Sequence, residues 1–336
     1  MCDETSTFEQ IPPSPLCQRG AEGGFPKGGK GGDCTWVAAK LNSIEANMGE
    51  DGFMQTIETP TDMQKLAEDH RRAGHSIGLV PTMGALHEGH LSLIRRCRAE
   101  NDVAVMSLFV NPTQFNRQDD LDRYPRDLAR DSGLARETGV DTIFAPTIEG
   151  MYPQGYQTSV TLDHLSTRWE GAARPGHFRG VATVCTKLFT ICRPHRAYFG
   201  QKDYQQSRVI RRLAADLNLD LEIVVLPTVR EADGLALSSR NVLLKPDERR
   251  QARVLSQALF QAQAAVRAGQ RDATRLHAAI EDHIQTAPLA VLDYVGVCDP
   301  ETLEPLEKIE DRAVAVVAAS FGTTRLIDNA LLEPGS

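Results

Sequence analysis

From about residue 54 onward, hydrophobic positions follow two rhythms. Short runs that are apolar almost throughout occur at 77–80, 103–110, 141–145, 197–199 and 221–226. Such runs predict strands buried on both faces. Between them apolar residues recur three and four apart: Leu91, Ile94 and Cys97 after Gly89, then Val181, Val184, Cys185, Leu188, Ile191 and Cys192, with a further helix over 203–217. Thr61-Asp62-Met63-Gln64 reads as a capping box opening a helix that ends at Gly74. Strands alternating with helices predict an α/β fold, a doubly wound parallel sheet covered on both faces. Its ligands would bind beyond the carboxyl ends of the strands, near the switch point. After Asn241 the rhythm changes. A helix is expected from Pro246 to Ala268, closed by Gly269, then a second over 273–285 and strands at 291–297, 313–319 and 325–328. These predict a smaller α+β domain.

Residues 1–53 carry neither rhythm. Gly-Gly occurs three times between Ile11 and Asp33, and there is little to bury. A segment of that texture cannot offset its ordering entropy, so disorder is expected, with a functional tail as the alternative. The expected start is Met48 or Met54, with the upstream stretch a mis-assigned or dispensable extension. The domains expected are therefore 1–53 as extension, 54–236 as the parallel-sheet domain and 237–336 as the smaller one.

Composition narrows the function. Of 336 residues, 41% are hydrophobic and 24% charged, as in ordinary globular chains. A net charge of −8 weighs against a broad nucleic-acid surface but leaves room for a local basic pocket. No apolar run nears the ~20 residues that cross a bilayer, and no basic-then-apolar leader opens the chain, so a cytoplasmic location is expected. Seven scattered cysteines without a C-x-x-C pair point to reduced thiols rather than structural zinc.

Four polar clusters fall at strand ends. His87 and His90 occupy the turn after the first long apolar run, between Gly84 and the start of a helix. Free backbone N–H groups and the helix dipole there favour an anion, and the histidines could donate to a phosphate. Taken alone, the pair could also be satisfied surface residues or a metal pair, although no third ligand cluster accompanies it. Asn111 and Gln114 offer neutral amides for a small polar substrate, while Asn-Pro turn formation explains Asn111 equally well. Lys202 can neutralise a phosphate as a point charge, and Asp203 with Gln206 also fits a helix N-cap. Ser238, Ser239 and Arg240 suit a polyphosphate.

Together the clusters resemble one family. P-T-M-G-A-L-H-E-G-H (81–90) resembles the H-x-G-H signature of the nucleotidylyl-transferase superfamily. With F-V-N-P-T-Q-F (109–115), Y-P-R (124–126), R-P-G-H-F-R-G-V (174–181), F-G-Q-K-D-Y-Q-Q (199–206) and D-G-L-A-L-S-S-R-N (233–241), the order is that of the pantothenate synthetase family. The resemblance spans about 54–333 and implies a Rossmann-like domain with a smaller C-terminal domain closing over the active site, usually in a homodimer. It implies ligation of (R)-pantoate and β-alanine with ATP and Mg2+, through pantoyl-adenylate, releasing AMP and pyrophosphate. It also implies residue roles. Met83, Gly84, Ala85, Leu86, His87, Glu88, Gly89 and His90 would line the ATP site, with the histidines at the phosphates and His90 as proton donor. Gly200, Gln201, Lys202 and Asp203 would meet the nucleotide, Lys202 at the α-phosphate and Asp203 at the ribose. Val229 would touch adenine, and Leu237, Ser238, Ser239 and Arg240 would close over the phosphates. Gln114 and Gln206 would hold pantoate, Gln114 also β-alanine, with Asn111 beside them. No protein side chain is expected to ligate the metal directly.

The chemistry agrees. A carboxylate and a polyanion repel, so adenylation needs cations and preorganised donors at the α-phosphate. The alternatives are another nucleotidylyl transferase with a different acceptor, or a nucleotide-binding module without catalysis. A tRNA synthetase fits poorly with the acidic charge and small second domain. Pantoate dependence of AMP release separates these.

Overall fold

The apolar runs form a six-stranded sheet ordered β1-β4-β3-β2-β5-β6, in a computed structural model that describes residues 54–335. The expectations for residues 1–53 lie outside the described residues. The strands are β1 (Gln55–Ile57), β2 (Ile77–Thr82), β3 (Val103–Leu108), β4 (Thr142–Phe144), β5 (Arg196–Gly200) and β6 (Glu222–Leu226). All neighbours run parallel. The sequence pattern does not reveal β1, because only Ile57 of its three residues is even half-buried. Along β2, Ile77 and Leu79 enter one core and Val80 the other. Along β3, Val103 and Val105 divide from Ala104 and Met106 in the same way. Two buried faces at a period of two explain why these strands read as unbroken apolar runs.

Helix α1 (Pro60–Arg72) starts earlier than expected. Its cap is Thr59, whose Oγ1 accepts from Asp62 N at 3.1 Å, and Pro60 takes the first helical position, where its missing N–H costs nothing. From β2 the chain passes through α2 (Glu88–Glu100) to β3, and through α3 (Leu128–Thr138) to β4. It then crosses back past β2, using α4 (His177–Cys192) to reach β5 and α5 (Tyr204–Asp216) to reach β6. The direction of winding therefore reverses between β2 and β5, which pair through Gly78–Arg196 and Leu79–Ala197. That is the switch point, and the carboxyl ends of β2 and β5 flank it.

The C-terminal part is a three-stranded antiparallel sheet, β7 (Ala290–Cys298), β8 (Ala313–Phe321) and β9 (Thr324–Leu332), covered by α6 (Pro246–Ala252), α7 (Val254–Arg267) and α8 (Ala273–Gln285). The helix expected over 246–268 is interrupted at Arg253. This layer bears directly on the switch point. Asn329 of β9 donates from Nδ2 to the carbonyls of Gln201 (2.9 Å) and Lys202 (2.8 Å). Arg325 grips the buried Glu170 carboxylate at 2.9 and 2.7 Å. Among the described residues no helix is long and apolar enough to cross a membrane.

Candidate active site

Helix α2 begins at Glu88, which makes His87 its N-cap and places His90 in its first turn. His87 Nδ1 accepts from Gly89 N at 3.2 Å, and His90 Nδ1 from His87 N at 3.4 Å. With both Nδ1 atoms accepting, a neutral ring must carry its proton on Nε2. The rings lie 4.1 Å apart, centroid to centroid. A Cβ on Gly89 would come within 2.9 Å of His87 Cε1, so this glycine makes room for the imidazole. Burial lowers the pKa of both rings; the neighbouring His87 adds to the effect at His90, which falls to about 3, and Lys202 adds to it at His87. At neutral pH the pair is a set of uncharged N–H donors.

The main-chain donors expected to face an anion are largely occupied. Ala85 N and Leu86 N donate to the two oxygens of Asp131 at 2.7 and 2.9 Å. Gly84 has φ +87°, and a Cβ there would sit 2.9 Å from Asp131 Oδ2. Its freedom gives room to that carboxylate. Five residues expected at the ATP site lie behind or beside the cavity lining described below. Gly84 and Ala85 turn toward Asp131, Leu86 is buried in the core, Glu88 pairs with Arg95, and Gln201 donates to Asn329 at 3.3 Å.

The remaining expected residues converge. A cavity of about 230 Å³ at the switch point is lined by Met83, His87, Gly89, His90, Asn111, Gln114, Gly200, Lys202, Asp203, Gln206, Val229 and Leu237 to Arg240. Asn111 caps the turn Pro112–Gln114 and spends its donor on Gly180 O (3.1 Å) and Gln114 Oε1 (3.2 Å), while its Oδ1 accepts from Tyr152 at 2.8 Å. Asn111 is thus a holder of Gln114. The Gln114 Nε2 group faces Met83 Sδ at 2.7 Å, a weak acceptor that a substrate oxygen would replace. Neighbouring glutamines divide their work: Gln205 is tied to Glu170 N at 3.0 Å and Leu165 O at 2.7 Å, leaving Gln206 at the cavity.

Asp203 does start α5, but its side chain makes no cap hydrogen bond and lies 4.0 Å from Lys202 Nζ. Asp203 thus holds the N-cap position without a side-chain cap, and it lines the cavity. Across the opening, Arg240 pairs with Asp120 at 3.2 Å. Among the described residues no three His, Cys, Asp or Glu side chains converge on a metal.

Sequence inspection missed four contributors. Tyr124, Arg174 and His177 line the cavity, and Asp131 supports it from behind. Arg174 and His177 both bond Gln114 O, at 3.2 and 2.8 Å. Burial and the adjacent Arg174 push His177 to about 4, so it is neutral, donating from Nδ1. The R-P-G-H motif was the visible signal for this pair; Asp131 had none. A second cavity of about 390 Å³ continues toward β9, sharing Lys202, Asp203, Gln206, Arg174 and Arg240.

Comparison with known proteins bears on this site. A family model described as pantoate-beta-alanine ligase matches residues 55–331. The chain is 52% identical over 280 residues to a pantothenate synthetase of Acetivibrio thermocellus, covering 83% of this chain and all of that relative. The crystal structure of pantothenate synthetase from Thermus thermophilus superposes with a TM-score of 0.79 at 46% identity, over 84% of this chain and 100% of that one. A pantoate-beta-alanine ligase from Francisella tularensis, solved in complex with beta-gamma ATP and β-alanine, gives 0.70 at 34%, over 83% and 98%.

Proposed function

The chain belongs to the pantoate–β-alanine ligase family, and from that premise we propose how its cavity performs the reaction. The enzyme joins pantoate and β-alanine in an ATP-dependent ligation. In the first step the pantoate carboxylate attacks the α-phosphorus of Mg–ATP, forming pantoyl-adenylate and expelling pyrophosphate. In the second the neutral amine of β-alanine attacks the acyl carbon, AMP leaves with the bonding electron pair, and the ammonium proton passes to solvent. No covalent enzyme intermediate is needed.

The observation that carries the assignment is the convergence at one switch point of two Nε2–H imidazoles, Lys202 and two glutamines that line the cavity. Lys202 would neutralise the α-phosphate as charge builds in attack. His87 and His90 would donate to the phosphate oxygens, a role that suits fixed, uncharged donors. Gln114 and Gln206 would hold pantoate, Gln114 with its carbonyl clamped by Arg174 and His177. Val229 would meet adenine, Asp203 the ribose, and Ser238 to Arg240 the outer phosphates. The magnesium ion would enter with ATP, ligated by phosphate oxygens and water, as Mg2+ commonly is. On this reading the parallel-sheet domain ends near 236, and the phosphate-gripping loop opens the smaller one. A homodimer in the cytoplasm completes the reading. The edge strand β6, with Ile223, Val224, Val225 and Leu226 only half-buried, is a candidate for its interface.

One assay tests the reading. Protein is supplied with ATP, magnesium, pantoate and β-alanine, and AMP release is followed as each substrate is omitted. AMP release should require pantoate; release that ignores pantoate refutes the assignment.

A further inference from the structure

We infer that Asp131 is a positioning residue for the adenylation step: by holding the peptide units of Ala85 and Leu86 it aims the imidazole donors of His87 and His90. The inference rests on the roles proposed for those histidines. Asp131 lines neither cavity, so it acts through the loop it holds. It lies in the first turn of α3, where the helix dipole stabilises a carboxylate, and it is 1% exposed. Both its oxygens accept from the loop, at 2.7 Å from Ala85 N and 2.9 Å from Leu86 N. Arg130 completes the grip, donating to Leu86 O at 3.0 Å and lying 3.3 Å from Asp131 Oδ1.

Three adjoining features show that the loop is shaped to this carboxylate. Ala85 is held at φ 52°, a left-handed conformation that L residues rarely adopt and that surrounding contacts must maintain. Gly84 has no room for a Cβ against Asp131. Leu86 is pinned in the core, and the next residue, His87, is the N-cap whose main chain fixes the His90 ring. Orientation thus runs from α3 through the 85–86 peptides to both imidazoles. Releasing it would let the rings shift, and a displacement near 1 Å from a distant change can cost about 100-fold in rate.

The test uses Asp131→Asn, Asp131→Ala and Arg130→Ala in the full chain. Pantoate-dependent exchange of labelled pyrophosphate into ATP reads the first step. The second is read by supplying pantoyl-adenylate and β-alanine, and 15N imidazole shifts of His87 and His90 read their tautomers. Asp131→Ala should lower exchange about 10- to 100-fold, Asp131→Asn less, with the KM for β-alanine in the second step unchanged. The single Nε2–H tautomer of both rings should become mixed. Arg130 is exposed enough for its variant to fold regardless, and should lose about threefold in the same step. Folded variants with native exchange, or with lowered exchange but native tautomers, would overturn the inference. Native protein that shows no pantoate dependence would defeat the assigned reaction instead, while the tautomer shifts would still report whether Asp131 sets the rings.

Discussion

Two loops face each other across the cavity, and they are held in opposite ways. The loop over 83–90 is fastened from behind by a buried carboxylate, is pinned midway by the core residue Leu86, and keeps its histidines neutral. The loop over 237–241 has two bonds of its own, Arg240 N donating to Ser238 Oγ at 3.2 Å and Asn241 N to Ser238 O at 3.0 Å, and is anchored at its ends by Leu237 N to Val229 O at 3.0 Å and Asn241 Nδ2 to Glu231 Oε1 at 2.9 Å. Its charged tip is tied by Arg240 to Asp120, with side chains 32% and 39% exposed. A pair so open to water is worth ~0–1 kcal/mol and yields readily to a polyphosphate. The difference separates two tasks. Donors to a developing charge work best when fixed in advance, whereas a cation that must admit and then enclose ATP works best on a weak tether.

The largest expected effect tests the charge between the loops. Lys202→Ala should slow adenylation ~10²–10³-fold, in the range of losing one transition-state donor; near-normal single-turnover formation of pantoyl-adenylate would remove Lys202 from its role. Next comes the fixed loop. Gly84→Ala forces a Cβ onto Asp131 at φ +87°. It should cost about 1–3 kcal/mol in urea unfolding and ~10-fold in adenylation. Gly74→Ala, at φ +82° with open space around it, is the control and should leave the rate intact.

Acid should also distinguish the loops. Burial lowers His90 from 6.5 to about 3 and His177 from 6.5 to about 4. In the unfolded chain both would bind protons near 6.5, so unfolding takes up protons below that value. The stability contributed by these groups is complete above pH 6.5 and declines as pH falls toward 4. Urea midpoints across that range should fall, and His90→Gln should flatten the decline; a pH-independent midpoint contradicts the burial of these rings. The smallest effect is on the weak tether. Asp120→Asn should free Arg240 and lower the KM for ATP about twofold, with stability changed by less than ~1 kcal/mol. A raised KM would show that Asp120 helps rather than competes.

Legibility in the sequence followed the distance over which each signal acts. Strands β2 and β3 and helix α4 were readable because burial on two faces or one face imposes a local period. The first helix was placed at the wrong threonine, since Thr59 and Thr61 both have a polar residue three positions on; Pro60 at the first helical position marks the right one. The H-x-G-H pair was visible, but the purpose of its glycines was not. Gly84 clears Asp131 and Gly89 clears His87, and neither clearance can be read without the fold. Asp131 was hidden for the same reason: its partner Leu86 lies 45 positions away. Nor could motif reading tell that Asn111 turns its amide on Gln114 and Gly180 while Gln114 keeps its own for the cavity.

If prearranged imidazole donors let the switch-point cavity adenylate pantoate, labelled pyrophosphate should exchange into ATP with pantoate present and β-alanine absent. The native enzyme should show this exchange, and His90→Ala should lose about 100-fold or more of it. Native enzyme that exchanges only when β-alanine is added, or a variant that exchanges at the native rate, would contradict this mechanism.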